Sequence, residues 1–428
     1  MPATDLAGPA VGRLVETFDT AVAAASAARC LSIPKSEIGT RGILVLGAGK
    51  AAAAMALAFN AAADTDVRGL VVTRYGHGLR AGEDTGAIEV IEAGHPAPDS
   101  ASRGAARRME ALLRTLEPGG TLWFLVSGGG SALLAAPLDG ITLEQKRAVA
   151  SQLMHSGADI REINTVRKHL SAIKGGRLAQ RAHPARVRTV AISDVPGDDI
   201  ADIASGPTIP DPSTQADARA VLARYSCAVE PAIDRVLSAP TNETPKPGDP
   251  AFARDGAEII ARSKTALDAA EHSLRRQGYR VVRLGDHLVG RATELGRMHA
   301  ALALEAASQR GRCAFLSGGE TSVVVNDTSA RGGRNLEYLG GLALALDGAR
   351  DIFALAADTD GIDGNGDHAG GIVVPDILLR GRELSLGLAE ALAVNSTYDY
   401  FDRCKLLLRT GPTRTNVNDF RVILVNRD

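Results

Sequence analysis

The feature that most constrains this chain is a repeated unit: a short aliphatic run that stops at Gly, Thr or Asp and gives way to a long helical pattern. It recurs as ILVLG (43–47), GLVVT (69–73), TLWFLVSGG (121–129), VRTVAISD (187–194), YRVVRLG (279–285), CAFLSGG (313–319) and DIFALAAD (351–358). Strands that alternate with helices bury both of their faces only in parallel sheets layered between helices, so the expected fold is α/β, two α/β/α sandwich (Rossmann-like) domains. Glycine makes up 46 of 428 residues, about 11% against a usual ~7%, and is concentrated where strands end. Ligands of open α/β sheets bind just beyond the C-terminal ends of strands, so these turns are where chemistry is expected.

A chain of 428 residues exceeds the size at which one core stops growing, which predicts two domains. Five prolines between residues 231 and 250 interrupt every amphipathic period. The boundary is therefore expected there, with an N-terminal glycine-turn domain over 1–238 and a C-terminal α/β domain over 239–428, the tail from about 395 packing back on the first. A formal net charge of −2 gives no basic excess to attract a polyanion, and 4% aromatics leave few stacking platforms, so nucleic acid is not an expected partner. The four cysteines form no C-x-x-C pair, no apolar run approaches the ~20 residues that span a bilayer, and residues 1–18 carry no secretory pattern. A cytoplasmic protein that is neither secreted nor inserted in a membrane is the expectation; a homodimer is left open.

Within ILVLGAGKAAAAMA (43–56), Gly47-Ala-Gly49-Lys50-Ala51-Ala52 fits the relaxed dinucleotide pattern G-x-G-x-x-[GA]. The next strand ends in Thr73-Arg74, without the acid that would bind a ribose hydroxyl, although Arg74 suits a 2′-phosphate. A Walker loop is excluded because Ala51 follows Lys50 where a magnesium-binding Ser or Thr belongs. Lys50 sits against the positive end of a helix dipole, a position that does not serve stability and so points to chemistry. FLVSGGGSALL (124–134) and FLSGGETSVVV (315–325) repeat a strand, Ser-Gly-Gly and a hydroxyl. Ser127, Gly128, Gly129, Gly130 and Ser131, and likewise Ser317, Gly318, Gly319, Glu320 and Thr321, are expected to form turns whose amides face phosphate oxygens. Ser193 and Asp194 lie at a strand end, with Asp198 and Asp199 further out as solvated or capping residues.

Asp358 and Asp360 follow a buried strand, where they suit magnesium, a general base or a substrate hydroxyl. The segment is not a calcium loop, because Ile362 or His368 falls where a ligand or glycine is required. Arg334 opens a helix after a glycine turn and is suited to grip a carboxylate or phosphate. In INTVRKHLSAIKGGRLAQ (163–180), Lys168 and Lys174 are the two basic residues expected to make functional contacts, Arg167 and Arg177 a solvated face. The histidines lack metal-ligand spacing, and no G-x-S-x-G elbow is present.

Together VLGAGKAA, GHPAPDSAS (94–102), LVSGGGSALL, NTVRKHLSAIKGGRLA, ISDVPGD, IASGPTIPDPST, LSGGETSVVV, GGRNLE, DTDGIDG and TGPTRTNVNDF (410–420) resemble the class II glycerate kinases, the family with the MOFRL C-terminal domain, also labelled hydroxypyruvate reductases. The resemblance implies an ATP- and Mg2+-dependent kinase that forms 2-phosphoglycerate from D-glycerate in a cleft between two domains. It implies that Lys50 and Arg334 are central to substrate binding and catalysis, beside Ser193, Asp194 and Asp360, with the two Ser-Gly-Gly turns, Lys168 and Lys174 serving the nucleotide. The metal ligands stay open. Leu336, Arg414 and Asn395-Ser396-Thr397 depart from the family pattern, and Leu336 in place of a polar residue opens the acceptor to a larger sugar acid. The rival expectations are an NADPH-dependent hydroxypyruvate reductase built on the Gly47 turn and Arg74, and a non-catalytic glycerate sensor.

Overall fold

The computed structural model describes residues 8–34, 42–63, 65–326 and 330–427. They form two compact units, one spanning 30–260 and the other combining 8–29 with 261–427.

The first unit is built on β1 (Ile43–Ala48), β2 (Val67–Arg74), β3 (Ala87–Ala93), β4 (Thr121–Ser127), β5 (Arg186–Ile192) and β6 (Gly256–Ala261) in the order β3-β2-β1-β4-β5-β6. β3, β2, β1, β4 and β5 pair in parallel. β1 and β4 are buried along their whole length, as strands with helices on both faces must be. The chain leaves β1 toward one edge and returns to β4 beside it, so the crevice where ligands of doubly wound sheets bind opens at the ends of these two strands.

The second unit holds β7 (Arg280–Leu288), β8 (Gly311–Gly319), β9 (Ile352–Asp358), β10 (Gly370–Val373), β11 (Leu407–Leu408) and β12 (Asp419–Arg427), ordered β11-β10-β9-β12-β8-β7. Only β7 and β8 pair in parallel. β12 runs antiparallel between β8 and β9, and β10 runs antiparallel to β9. The sheet is therefore mixed, not the wholly parallel one expected. The short, Gly-rich β10 and the C-terminal β12 carry no strand-then-helix signal, which is why they are missing from the sequence reading.

The boundary expected at 238/239 also differs from the division observed. The proline-rich segment is packed, not a linker: Thr244 is buried, its hydroxyl donates to Asp211 at 3.2 Å, and Glu243 accepts the Gln215 amide at 3.0 Å. β6, beyond the prolines, completes the first sheet. The tail from 395 contributes β12, an interior strand of the second sheet. It is the N-terminal helix Pro9–Ala24 that crosses over. Phe18 meets Phe420 edge to face with centroids 5.9 Å apart, and Thr415 donates to the Ala25 carbonyl at 2.7 Å. Phe18 is 1% exposed. Phe18→Ala should cost about 3–5 kcal/mol, the usual toll of emptying an aromatic core site, and calorimetry should show it as a lowered thermal transition.

Candidate functional site

In the first unit the turn after β1 is fixed by the turn after β4. The amide of Gly49 donates to the Val72 carbonyl at 3.0 Å, that of Lys50 to the Gly128 carbonyl at 2.9 Å, and that of Ala51 to the Ser127 hydroxyl at 2.9 Å. Ala51 precedes the helix Ala52–Ala62 and has no polar side chain, so a hydroxyl from the neighbouring strand takes the place of its cap. Gly49 adopts φ +143°, and a Cβ there would lie 2.1 Å from Ser127 Oγ. Only glycine lets the two turns close on each other, and their closure fixes the backbone that carries Lys50.

Gly129, at φ +80°, starts the one-turn helix Gly130–Leu133; a Cβ on it would approach the His95 ring at 3.0 Å and Lys50 Cγ at 3.3 Å. Lys50, His95 and the glycine turn thus share one small space, the arrangement expected for Ser127–Ser131. Burial, with the positive charges of Lys50 and Arg74, pushes His95 down to about 3; burial, Arg74 and Lys50 push His77 down to about 4. Both rings are neutral at neutral pH. His95 was not singled out from the sequence; its signal lay in GHPAPDSAS, where a histidine without metal spacing has no local pattern to mark it.

Beyond β5, Ser193 is buried and accepts a weak 3.4 Å bond from the Val195 amide, and Asp194 is half-buried. Asp199 caps the Ala201 amide at 2.9 Å, the capping role expected of it. The segment Ala204-Ser205-Gly206 takes three successive left-handed conformations, φ 53°, 60° and 55°, a strain of about 1–2 kcal/mol for each non-glycine residue. What holds it is Lys174, 1% exposed, whose Nζ donates to the Ala204 carbonyl at 3.1 Å, to the Ser131 carbonyl at 3.0 Å and to Ser131 Oγ at 3.1 Å. Lys174 therefore reaches the glycine turn. Lys168 does not: it is buried against Asp211 at 3.5 Å and Asp202 at 4.0 Å. The two lysines are separated because the helix Ile160–His169 stops before Gly175 and Gly176, both at positive φ. Arg177, expected on a solvated face, is buried and donates to the Lys168 carbonyl.

The second unit gathers its acids around Arg334. Nε donates to Asp419 at 2.8 Å, one terminal nitrogen to Glu320 at 2.7 Å and the other to Asp358 at 2.8 Å. These acids stand at the start of β12, just past β8 and at the end of β9, three strands adjacent in the sheet. Burial works against the guanidinium charge, but the three carboxylates overcome it and hold Arg334 well above its usual range. An arginine expected to grip a ligand is thus fully engaged by the protein. Asp358, not Asp360, is its partner. Asp360 is buried, accepts the Ile362 amide at 2.8 Å as a turn former, and lends its carbonyl to the Thr413 amide at 3.0 Å. Asp363 caps the helix Arg334–Leu346 through the Asn335 and Leu336 amides; burial and the nearby Asp419 push it up to about 7.

The second Ser-Gly-Gly segment does not form the expected turn. Ser317, Gly318 and Gly319 are the last residues of β8 and pair with Arg421, Phe420 and Asp419 of β12. The Glu320 amide donates to the Leu288 carbonyl at 2.9 Å, and Thr321 Oγ1 accepts from Arg421 at 3.3 Å. A Cβ on Gly319 would meet the Leu288 carbonyl at 2.1 Å, so this glycine serves strand packing. Leu336 is fully buried, its side chain directed at Gly371 of β10, and belongs to the core. Among the described residues no group of three or more His, Cys, Asp or Glu is arranged to hold a metal ion, and no helix is long and apolar enough to cross a membrane.

The sequence pattern described as a domain of unknown function (DUF4147) matches residues 13–238, and that of the MOFRL family matches residues 313–419. A protein of Agrobacterium vitis carrying a hydroxypyruvate reductase name is 47% identical over 95% of this chain and 93% of its own. The D-glycerate 2-kinase of Thermotoga maritima is 37% identical over 92% of this chain and 93% of its own. The crystal structure of a glycerate kinase from Thermotoga maritima superposes with a TM-score of 0.85 at 35% identity, covering 98% of this chain and all of the other.

Arg334→Met would leave three carboxylates facing one another without their cation. A loss of about 3–5 kcal/mol is expected, as when one partner of a buried ion cluster is removed, and the lowered thermal transition should recover in part as pH is brought down to 5 and the acids protonate. The neutral histidines act in the opposite sense. The unfolded value is near 6.5, so the stability His77 and His95 contribute is complete above pH 6.5 and is lost as pH falls toward about 4 and about 3. At pH 5 the buried His77 alone should cost about 2 kcal/mol. Trp123, the single tryptophan, is buried in β4 of the same unit. Urea unfolding followed by its fluorescence should show a lower midpoint at pH 5 than at pH 7, and His77→Gln should narrow the difference.

Proposed function

The chain belongs to the MOFRL-type glycerate kinase family, and from that premise we propose that it is an ATP-dependent kinase transferring the γ-phosphoryl group to the 2-hydroxyl of D-glycerate, giving 2-phosphoglycerate and ADP. The observation that carries this reading is Lys50, set on a locked turn at the β1/β4 crevice beside a second glycine turn. The C2 oxygen attacks the γ-phosphorus, the bond from that phosphorus to the β–γ bridging oxygen breaks, and the hydroxyl proton passes to a carboxylate, which we assign to Asp194. Lys50 neutralises charge on the transferring group; phosphoryl transfer depends mainly on such placement and charge stabilisation. Ser193 lies next to Asp194 and contributes to the acceptor side. Arg334 is a positioning residue that fixes Asp358, Asp419 and Glu320 at the ends of three strands.

Mg2+ belongs to this reading as the companion of ATP. Magnesium at such sites is held by one or two carboxylates together with substrate phosphates and water, and so needs no cage built wholly of protein groups. Held chiefly by the nucleotide's own phosphates and water, it would spread charge over the phosphate oxygens.

The reductase reading finds less support. In a dinucleotide turn the second glycine lets pyrophosphate approach the backbone. Here the space before Gly49 is filled by Ser127, which also occupies the first helix amide. With D-glycerate and ATP, phosphorus NMR should show 2-phosphoglycerate and ADP, whereas hydroxypyruvate should oxidise no NADPH. The reverse outcome overturns the assignment, and a panel of four-carbon sugar acids ranks the acceptor. Lys50→Ala should lower kcat by roughly 10²–10³ with an unchanged thermal midpoint, and Lys50→Arg should restore little of it, a planar fork being no substitute for a compact ammonium.

A further inference from the structure

A cavity of about 300 Å³ opens in the first unit beside the Gly129–Ser131 turn. Four basic side chains line it, Lys146, Arg147, Arg167 and Lys174; the remaining wall is His95, Ser131 and small or apolar residues, with no acid among the described residues that line it. Lys146 comes from the helix Leu143–His155, is 8% exposed, and its Nζ is buried without any hydrogen-bond partner. Lys174 Nζ is likewise buried but is anchored on Ser131.

A buried ammonium with neither carboxylate nor carbonyl is among the costliest groups a fold can hold. Burial, with Arg167 and Arg177 nearby, pushes Lys146 down to about 7, and burial and Lys146 lower Lys174 as well. Replacing Lys146 by a hydrocarbon of similar length would relieve this cost, so its presence calls for a negatively charged occupant. Charge matching sets the class. A single carboxylate can answer only part of this set of four basic groups, whereas a polyphosphate chain offers several anionic oxygens to match them.

We propose that this cavity receives the polyphosphate tail of the nucleotide, with Lys146 and Arg167 as phosphate-binding residues in addition to Lys174. This rests on the kinase reading above, but its test does not depend on turnover. The probe is inorganic tripolyphosphate, titrated calorimetrically into the full chain, beside steady-state kinetics. Lys146→Met should fold with an equal or higher thermal midpoint, bind tripolyphosphate at least tenfold more weakly, and raise the KM for ATP about tenfold while the KM for glycerate stays unchanged. Arg147→Ala, at an exposed position that folding does not need, should weaken tripolyphosphate binding more modestly. Unaltered tripolyphosphate affinity in Lys146→Met overturns the proposal. A KM change confined to glycerate also overturns it, giving the cavity to the acceptor carboxylate instead. A wild-type chain that binds tripolyphosphate through Lys146 yet phosphorylates no glycerate would sink the kinase reading and leave the cavity assignment standing.

Discussion

The first unit depends on one hydroxyl. Ser127 ends β4, yet its Oγ serves the helix that follows β1, accepting the Ala51 amide that an alanine cannot cap for itself. Parallel strands are held along their length by ladder hydrogen bonds, but nothing in a ladder fixes the loops beyond it. Here the loops are tied to each other by two amide bonds and by a glycine too small to keep Ser127 away. A residue held at both backbone ends in this way places its side chain without the entropy loss a free loop would suffer on binding. The stiffness of the β1 turn is therefore what makes a flexible four-carbon stem such as that of Lys50 useful for positioning charge.

The two units solve the charge problem differently. Around Arg334, three acids surround one cation and each guanidinium nitrogen finds an oxygen, so the cluster is complete in itself. Around Lys146 and Lys174, cations meet without acids. Self-sufficient clusters give rigidity, and unbalanced ones mark places where the protein depends on something it does not contain. The same two residue classes thus have different meanings according to what the sheet brings next to them.

Much of this was legible in the sequence. All seven strands read from aliphatic runs are present; the interior ones are continuously apolar because both of their faces are buried, whereas β7 is a half-buried edge strand. Lys50 and the Ser127–Ser131 turn lie side by side at the ends of neighbouring strands, where strand-end logic put them. What local pattern could not show was partnership. Ser317–Gly319 look like Ser127–Gly129, but the first run is flanked by β12, more than a hundred residues on, whose pairing consumes its backbone. Asp358 and Asp360 differ by two positions along a strand end; the choice between them is made by which faces the start of the helix Arg334–Leu346 and which turns back on its own backbone. Lys146 lies in an amphipathic helix whose sequence gives no sign that neighbouring elements close over it.

The crossover of the first helix sets an order of events during synthesis. The helix Pro9–Ala24 packs chiefly against the helix Ser263–Arg276, but part of its cover is more distant: the Thr415 bond to Ala25 joins residues 390 apart in sequence. At ~5–20 residues per second the ribosome takes roughly twenty seconds or more to supply that partner. Meanwhile residues 30–260 emerge as a continuous stretch with all the strands of their own sheet. The inner unit can be complete while the helix before it still waits, so the side of Phe18 that meets Phe420 stays open through that interval, the period in which a nascent chain is most exposed to aggregation or to capture by a chaperone.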